Sequence, residues 1–279
     1  MKSATKKWTL SAAVAAGAAA LLSGALVTTA SAHDSAPKSA PAAARHQAKP
    51  TVVLVHGAFE DASAWNGVTS RLERAGYPVI APAVPLRGVA SDTAYLEKLL
   101  KTIPGPVVLA GHSYGGAVIG ELAADNPNVK ALVYASAFIP KAGDTLGALN
   151  AQFPGSLIGP DTTYTVDNGN GADLYIKAAS YRDVFAADRP AAEAAVSAAG
   201  QRPVVASAFT ETITAAAPAD IPKYAIVSSQ DHAIAPAAEE FEAERAGATI
   251  VHVRSSHDVP VSHPGSVTSV IERAAAQVR

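Results

Sequence analysis

The sequence contains no cysteine, and only 16% of its 279 residues are charged. Without cysteine, the protein has no disulfide, no thiol nucleophile and no cysteine-ligated metal. The formal net charge is −2, so the sequence lacks the excess of basic residues that binding to nucleic acid or to an anionic membrane surface requires. Because 49% of the residues are apolar, a chain of this length can bury the core of one domain without covalent cross-links.

The first 32 residues have the order of features of a removable export signal. Three lysines precede an apolar run over residues 10–27, and Ala30-Ser31-Ala32 supplies the small residues of a cleavage site. A membrane anchor is the alternative, but two glycines and a serine interrupt the run. We therefore predict a signal peptide over residues 1–32, a flexible linker over 33–50 and a secreted protein. Cleavage would leave a formal charge of −5, because the segment carries three lysines and no acid.

From residue 51 onward, short apolar segments alternate with amphipathic helical ones. Segments that are apolar on both faces indicate strands of a buried parallel sheet. We predict such strands at residues 51–55, 77–81, 106–110, 131–135, 223–228 and 248–253. Helices are predicted at 65–75, 117–124, 236–247 and 264–278, and another that begins after Asp92. This order predicts an α/β fold, with a mostly parallel, twisted sheet flanked by helices, over residues 51–140 and 221–279.

Residues 141–220 interrupt this alternation. They hold no clear buried strand but several alanine-rich helical patches, and a connection this long is uncommon as a bare loop. We predict a helical cap inserted into the core, placed over the active site. Its large aromatic side chains, expected in the cap core or around an apolar chamber, are Phe153, Tyr164, Tyr175, Tyr181 and Phe185.

The strongest chemical signal is Gly111-His112-Ser113-Tyr114-Gly115. It follows a predicted strand and opens a predicted helix, which is the context of a nucleophile elbow. Glycines two residues before and two residues after the serine allow the strand and the helix to approach closely. Ser113 is therefore the candidate nucleophile.

A serine hydroxyl needs a base and an orienting acid, which follow it in the order acid, then histidine, in this architecture. Asp231 comes directly after one predicted strand and His257 after the next. Catalytic groups collect at the carboxyl ends of parallel strands, so we predict that both lie beside Ser113.

Other acids and histidines have different predicted roles. Asp258 adjoins His257 and should point away from it, while Asp220 precedes its strand and lies at the wrong end of the sheet. The remaining histidines are predicted to lie within a strand, at a helix start, in structural positions or in the linker: His252, His263, His112, His232, His33 and His46.

An oxyanion needs two backbone N–H donors. One is predicted from Tyr114, the residue after the nucleophile, and the other from the loop that follows the first strand. In that loop Gly57 allows a sharp turn, which makes Ala58 the first choice and Phe59 the second.

Four segments together resemble the α/β-hydrolase superfamily over residues 51–279: residues 52–58, the serine elbow, Ser229-Gln230-Asp231 and Ser255-Ser256-His257. The chain looks most similar to the small capped branch that holds salicylate-type methyl esterases and hydroxynitrile lyases. In the lyases, the position of Gly57 is typically threonine, and a lysine that receives cyanide occupies the position of Asp258. Both departures imply ester hydrolysis through an acyl-enzyme, on a small-molecule ester and with no metal or organic cofactor.

The resemblance leaves other functions open. Hydroxynitrile-lyase-like, other carbon–carbon or haloperoxidase activity could use the same triad, and some hormone receptors of the superfamily keep an intact triad for ligand capture. Epoxide hydrolases and haloalkane dehalogenases are disfavoured because they carry an aspartate where this chain has Ser113. The acyl group, the alcohol and the oligomeric state are not predicted.

We predict that the mature protein begins at His33, since Ala30 and Ala32 are the small residues that signal peptidase recognises. The intact mass of the exported protein measures this directly. A membrane-bound species that retains residues 1–32 would contradict the prediction.

Overall fold

A computed structural model describes residues 49–278. The predicted signal peptide (1–32) and residues 33–48 of the predicted linker, including His33 and His46, lie outside the described residues. Within residues 49–278, no helix has both the length and the apolar character needed to cross a membrane.

Helices alternate with strands along most of this part of the chain. In chain order, the strands are β1 (Thr51–Val55), β2 (Val79–Ile80), β3 (Val107–Ser113), β4 (Val129–Ala137), β5 (Thr163–Asp167), β6 (Ala172–Ile176), β7 (Val204–Val205), β8 (Lys223–Ser228) and β9 (Thr249–Val253). The helices are α1 (Asn66–Arg74), α2 (Val89–Leu100), α3 (Tyr114–Ala124), α4 (Leu146–Ala151), α5 (Ala178–Phe185), α6 (Ala191–Gly200), α7 (Pro236–Arg245), α8 (Val259–Ser262) and α9 (Pro264–Ala276).

The central sheet has the strand order β2-β1-β3-β4-β8-β9, and every neighbouring pair in it is parallel. Each predicted strand is present, although β2 is shorter than predicted and β4 is longer. The predicted α/β fold with a mostly parallel sheet is therefore confirmed.

Both faces of the sheet are buried, which explains why its strands are continuously apolar. In β1, Val52 and Leu54 pack with α1 and α9 on one face, whereas Val53 and Val55 pack with α2 and α3 on the other. All four side chains are fully buried. The two layers leave only the ends of the strands free to carry polar side chains.

Helix α2 begins at Val89, earlier than the predicted start after Asp92. The distant Glu211 causes the difference, because its carboxylate accepts the N–H groups of Val89 (2.8 Å) and Ala90 (3.0 Å). An acidic group at this end of a helix satisfies free N–H donors and opposes the helix dipole. A capping residue supplied from so far along the chain leaves no local sequence signal.

The predicted cap segment, residues 141–220, contains helices α4, α5 and α6 and also a small antiparallel sheet of order β5-β6-β7. The sequence analysis did not predict these strands. Thr163 is the only buried residue of β5 and the rest of the strand is exposed, while β7 has only two residues. None of them therefore shows the continuous apolar run of a buried strand.

Replacing Glu211 by alanine should lower the free energy of unfolding by about 1 kcal/mol, the usual value of a helix cap. Urea unfolding followed by circular dichroism measures the change. The exposed Glu73 on α1 offers a matched control, and Glu73→Ala should shift the stability by less than about 0.5 kcal/mol. Equal losses in the two variants would contradict the capping role.

Candidate active site

Ser113 ends β3 and directly precedes α3 in a strained backbone conformation. Its φ angle is +53°, in the left-handed region that non-glycine residues rarely adopt. A Cβ on Gly111 would lie 2.6 Å from the carbonyl oxygen of Gly115, and a Cβ on Gly115 would lie 2.5 Å from that of Val55. Side chains at these glycines would therefore push the strand and the helix apart.

The loop after β1 lies directly against the elbow. A Cβ on Gly57 would come within 2.7 Å of the Cβ of Ser113 and 3.0 Å of the carbonyl oxygen of His112. Glycine is required here for close approach, and this proximity places the next residue, Ala58, beside Ser113 in one cavity.

Asp231 follows β8, His257 follows β9, and the two side chains form a buried pair. The Nδ1 atom of His257 lies 2.5 Å from Oδ2 of Asp231, and both side chains are almost completely buried. The other Asp231 oxygen accepts the N–H groups of Ala233 (2.7 Å) and Ile234 (2.9 Å). Burial alone would raise the pKa of Asp231, but the facing His257, with the other hydrogen bonds, holds it below its usual range.

The second ring nitrogen of His257 is available for chemistry. Nε2 is buried and has no hydrogen-bond partner among the described residues, and His257 lines the same cavity as Ser113. With Nδ1 held by Asp231, the geometry keeps a hydrogen on Nδ1 and leaves Nε2 as the acceptor. The structure thus brings Ser113, His257 and Asp231 to one place.

Glu239, on α7, lies behind Asp231 and was missed by the sequence analysis. Its Oε2 accepts the N–H of Ser228 at 2.8 Å. Burial, followed by the charge of Asp231, raises the pKa of Glu239 well above its usual range. In its protonated form, Glu239 can donate a hydrogen bond to Asp231 and so keeps the negative charge on one carboxylate.

Ligating atoms of Asp231, Glu239 and His257 lie within 4.8 Å of one another, so this group has the donor set of a small metal site. Apart from Glu239 Oε1 and His257 Nε2, which have no hydrogen-bond partner among the described residues, the polar atoms of these side chains are already engaged. Asp231 bonds both His257 and two backbone N–H groups, and Glu239 accepts from Ser228. A metal ion would have to displace the His257–Asp231 hydrogen bond.

The two predicted alternatives for the second oxyanion donor differ in availability. The Phe59 N–H donates to the carbonyl oxygen of Arg202 at 2.9 Å, whereas the Ala58 N–H donates to no group within residues 49–278. Ala58 and Tyr114 both line the cavity that contains Ser113, and Tyr114 is the first residue of α3. The geometry therefore favours Ala58 over Phe59.

The cavity at Ser113 is small, with a volume of about 20 Å³, which is room for about one water molecule. A larger cavity of about 410 Å³ lies under α4 and the small sheet. Three residues line both cavities, namely Asn150, Ile158 and Phe209. Of the cap aromatics that the sequence analysis named, Phe185 lines the inner cavity and Phe153 the outer one.

The other acids and histidines lie in separate environments. Asp258 points to Arg189, at 2.7 Å, and Asp220 is exposed before β8. His252 pairs with Glu240 at the surface, and His263 precedes α9. His232 is exposed and bonds the carbonyl oxygen of Asp183, while His112 is buried and contacts Glu60 and the backbone of His257.

A cluster of buried hydroxyls at the ends of β4, β8 and β9 was also missed. Ser228 Oγ lies 2.5 Å from Ser136 Oγ and 2.7 Å from Ser255 Oγ. Backbone bonds from Ser229 to Val253 (2.9 Å) and from Gln230 to Ser255 (3.0 Å) join the same two loops. The cluster fixes the loop of Asp231 against the loop of His257. Serines that precede a candidate residue in both loops were the only signal in the sequence.

A model of the alpha/beta hydrolase family matches residues 52–269, which include Ser113, Asp231 and His257. The chain belongs to this family.

Relatives within the alpha/beta hydrolase family include both esterases and a lyase. A carbendazim-hydrolysing esterase from Nocardioides sp. is 35% identical over 111 residues, covering 35% of this chain and 46% of that protein. An alpha-hydroxynitrile lyase from Arabidopsis thaliana is 34% identical over 103 residues, covering 32% of this chain and 40% of that protein. Each alignment thus spans less than half of the relative. These relatives confirm the resemblance to the esterase and lyase branch.

The similarity in fold extends over the whole hydrolase domain. A crystal structure of a pyrethroid hydrolase from Sphingobium faniae has a TM-score of 0.68 and 22% sequence identity, covering 81% of this chain and 97% of that one. The two chains therefore share one fold over this length.

The structure shows the surroundings of Gly57 and Asp258, the two positions at which the sequence departs from the lyases it resembles. At the first, the close contact of Gly57 with Ser113 leaves no room for a larger residue unless the loop moves. At the second, Asp258 forms a buried ion pair with Arg189 and lines a separate cavity of about 260 Å³. The sequence analysis treated Asp258 as a charge in the place of the cyanide-binding lysine. The structure instead directs its carboxylate away from the cavity of Ser113.

Proposed function

We propose that this alpha/beta hydrolase is a secreted serine hydrolase that cleaves carboxylic esters. Family membership and the esterase among its relatives support ester hydrolysis in general. The observation that carries the finer proposal is the His257–Asp231 pair at 2.5 Å, because His257 lines the same cavity as Ser113 and its Nε2 has no hydrogen-bond partner among the described residues. Export is proposed from the leader-like residues 1–32 of the sequence.

The reaction has two halves. In the first, His257 Nε2 takes the proton of Ser113 Oγ as that oxygen attacks the ester carbonyl carbon. The same proton then passes to the leaving alcohol, and an acyl-enzyme remains. In the second, water attacks the acyl carbon as His257 takes its proton, and His257 then returns that proton to Ser113 Oγ as the acyl–oxygen bond breaks and the acid leaves. Asp231 keeps the imidazole in the required tautomer and stabilises its charged form throughout.

The negative charge that develops on the carbonyl oxygen needs hydrogen-bond donors that are already in place. The backbone N–H groups of Tyr114 and Ala58 serve this role in our proposal, and α3 adds the positive end of its dipole. Losing one donor of this kind costs about 3–4 kcal/mol of transition-state stabilisation. Substitution of a side chain does not remove a backbone donor, so the loop position matters more than the identity of residue 58.

The substrate must be reached through the residues that separate the two cavities. Because the space at Ser113 holds about one water molecule, an ester needs more room there, and we propose that movement of Asn150, Ile158 or Phe209 provides it. Such a movement would join the small space to the outer cavity of about 410 Å³. We propose that the bulkier half of the ester occupies this outer cavity.

Hydroxynitrile cleavage is the second candidate function, and the relative from Arabidopsis favours it as an alternative. A lyase needs a cation to receive cyanide. No lysine or arginine lines the cavity of Ser113 in the described part of the chain. Arg189 forms an ion pair with Asp258, the residue that follows His257, and does not line this cavity. Ester cleavage needs no such cation, because the developing charge is held by backbone N–H groups.

We expect the purified mature protein to hydrolyse short-chain p-nitrophenyl esters and to release no cyanide from mandelonitrile above background at mildly acidic pH. Ser113→Ala should abolish ester hydrolysis but leave the circular dichroism spectrum unchanged, because it removes one hydroxyl and little packing. A serine-directed phosphonate should add its mass to the peptide that contains Ser113.

The matched control for this experiment is Ser269→Ala, which removes an exposed hydroxyl on α9 that donates to the carbonyl oxygen of Gly265 and lies outside both cavities. That variant should keep the phosphonate label on Ser113. Labelling elsewhere, or full activity in Ser113→Ala, would overturn the nucleophile. Rapid cyanide release without ester turnover would establish the lyase instead.

Asp231→Asn should lower kcat by roughly 10³–10⁴-fold, because an amide can no longer hold the required tautomer of His257 or stabilise its charge. Asp258→Asn should keep kcat within about tenfold of the wild type while lowering stability, since it leaves Arg189 buried without its ion-pair partner. Steady-state kinetics and thermal unfolding of the two variants separate these effects. The reverse ranking in kcat would make Asp258 the acid.

A further inference from the structure

A second histidine and carboxylate pair lies directly beneath the proposed catalytic residues. His112 Nδ1 is 2.5 Å from Glu60 Oε1, and the side chains are 0% and 7% exposed. Glu60 Oε1 also accepts the N–H of Gly57 at 2.7 Å. On its other side, His112 Nε2 lies 2.8 Å from the backbone carbonyl oxygen of His257.

The partners of His112 determine where its protons lie. A carbonyl oxygen only accepts hydrogen bonds, so Nε2 must carry a hydrogen to bond His257. Glu60 Oε1 accepts a backbone N–H, which favours the ionised carboxylate, and an ionised carboxylate also only accepts. Nδ1 therefore carries the second hydrogen, and His112 is an imidazolium paired with Glu60.

The surrounding charges agree with this assignment. Burial would lower the pKa of His112, but the charge and hydrogen bond of Glu60 outweigh it, with help from Asp258 and the His257 carbonyl, and raise the pKa to about 9. Burial would raise the pKa of Glu60, but the charge and hydrogen bond of His112 hold it below its usual range.

His56 adds no charge to this pair. Burial lowers its pKa, and its ring is held between a donor and an acceptor, the N–H of Val84 (2.9 Å) and the carbonyl oxygen of Gly57 (2.9 Å). These contacts define a neutral imidazole. The remaining charge nearby, Asp258, is offset by Arg189.

The ion pair touches each of the three loops that the proposed mechanism needs. Gly57 directly precedes Ala58 in the loop after β1, His112 directly precedes Ser113 at the elbow, and His257 follows β9. The rings of His112 and His257 also pack at 4.7 Å between centroids, and Phe185 packs edge-on against both.

We propose that Glu60 and His112 are positioning residues, whose buried ion pair sets the distances among the Ala58 N–H, Ser113 and His257. The inference rests on the proposed ester hydrolysis. Hydrogen bonds to charged groups are shorter and stronger than neutral ones, so one imidazolium can hold three loops that share no covalent connection nearby. Loss of the charge would loosen their relative positions without removing any reacting group.

The experiment compares Glu60→Gln, His112→Gln and the double variant. Each glutamine keeps one hydrogen bond of the original residue, to Gly57 or to His257, but removes the charge. Both single variants should lower kcat for p-nitrophenyl acetate by about tenfold or more with KM within about threefold. The double variant should be no worse than the poorer single variant, because the two residues act through one interaction.

The chain offers a matched control pair. His252 and Glu240 form the same kind of contact at 2.7 Å, but their side chains are 59% and 36% exposed at the surface. Glu240→Gln and His252→Gln should leave kcat within about twofold of the wild type, as exposed ion pairs contribute little. Thermal unfolding of all the variants shows whether a loss of kcat accompanies a loss of folded protein.

Two further readouts separate positioning from bulk stability. Ring ¹⁵N NMR of the wild type should show hydrogens on both nitrogens of His112 at pH 8, and Glu60→Gln should lose this signature. Because the pKa of His112 is raised, its charge is present below about pH 9 and is lost as the pH rises through that value. The kcat of the wild type should fall over the same range, and His112→Gln should lack that fall.

A neutral His112 at pH 8, in a protein that hydrolyses esters, would overturn this inference alone. Unchanged kcat in Glu60→Gln and His112→Gln would overturn it as well. Absence of ester turnover in the wild type would instead contradict the proposed function, and the NMR result would still report whether the ion pair exists. If the variants do not fold, titration of His112 in the wild type decides the question.

Discussion

The close approach of three backbone segments at Ser113 is the constraint on which the site depends. The serine is held at a φ of +53°, and glycines at 57, 111 and 115 stand where a Cβ would meet neighbouring atoms at 2.5–2.7 Å. Each contact brings a different element, β1, β3 or α3, to the same point. The strain is maintained because the surrounding sheet is buried on both faces and cannot relax locally.

Charged groups at the end of this sheet are arranged so that few remain uncompensated. Asp231 is paired with His257 and backed by Glu239, whose pKa is raised well above its usual range by burial and then by the charge of Asp231. Glu60 is paired with His112, and Asp258 with Arg189. Buried charges are costly unless paired and hydrogen-bonded, so this pattern indicates that the loops of the site occupy one arrangement. Removing one member of a pair would leave the other buried without a partner, which destabilises the folded protein.

The fold and three of the central residues could be predicted from the sequence because their signals are local. Continuous apolar segments reveal strands that are buried on both faces, and the glycine spacing around Ser113 reveals a strand-turn-helix elbow. Asp231 and His257 follow strands directly. The predicted start of α2 was wrong because the residue that caps this helix, Glu211, is supplied from another part of the chain.

Other features could not be predicted because they depend on contacts between distant residues. The role of Glu239 exists only because Asp231 lies in front of it, and the charge on His112 exists only because of Glu60. Strands β5–β7 carry few buried residues, so their pattern resembles that of a loop. Adjacency to His257 predicts that Asp258 points away from the imidazole, but it does not reveal the partner of Asp258, which is Arg189, 69 residues away.

The separation of the two cavities by Asn150, Ile158 and Phe209 has a kinetic consequence. If ester binds only to molecules in which these side chains have opened, the observed dissociation constant equals the intrinsic one divided by the open fraction. Residues remote from the chemistry could then change KM through that fraction alone, with kcat unaffected. Substrate selection would depend partly on an equilibrium of the empty protein, and smaller side chains at these three positions would broaden the range of esters.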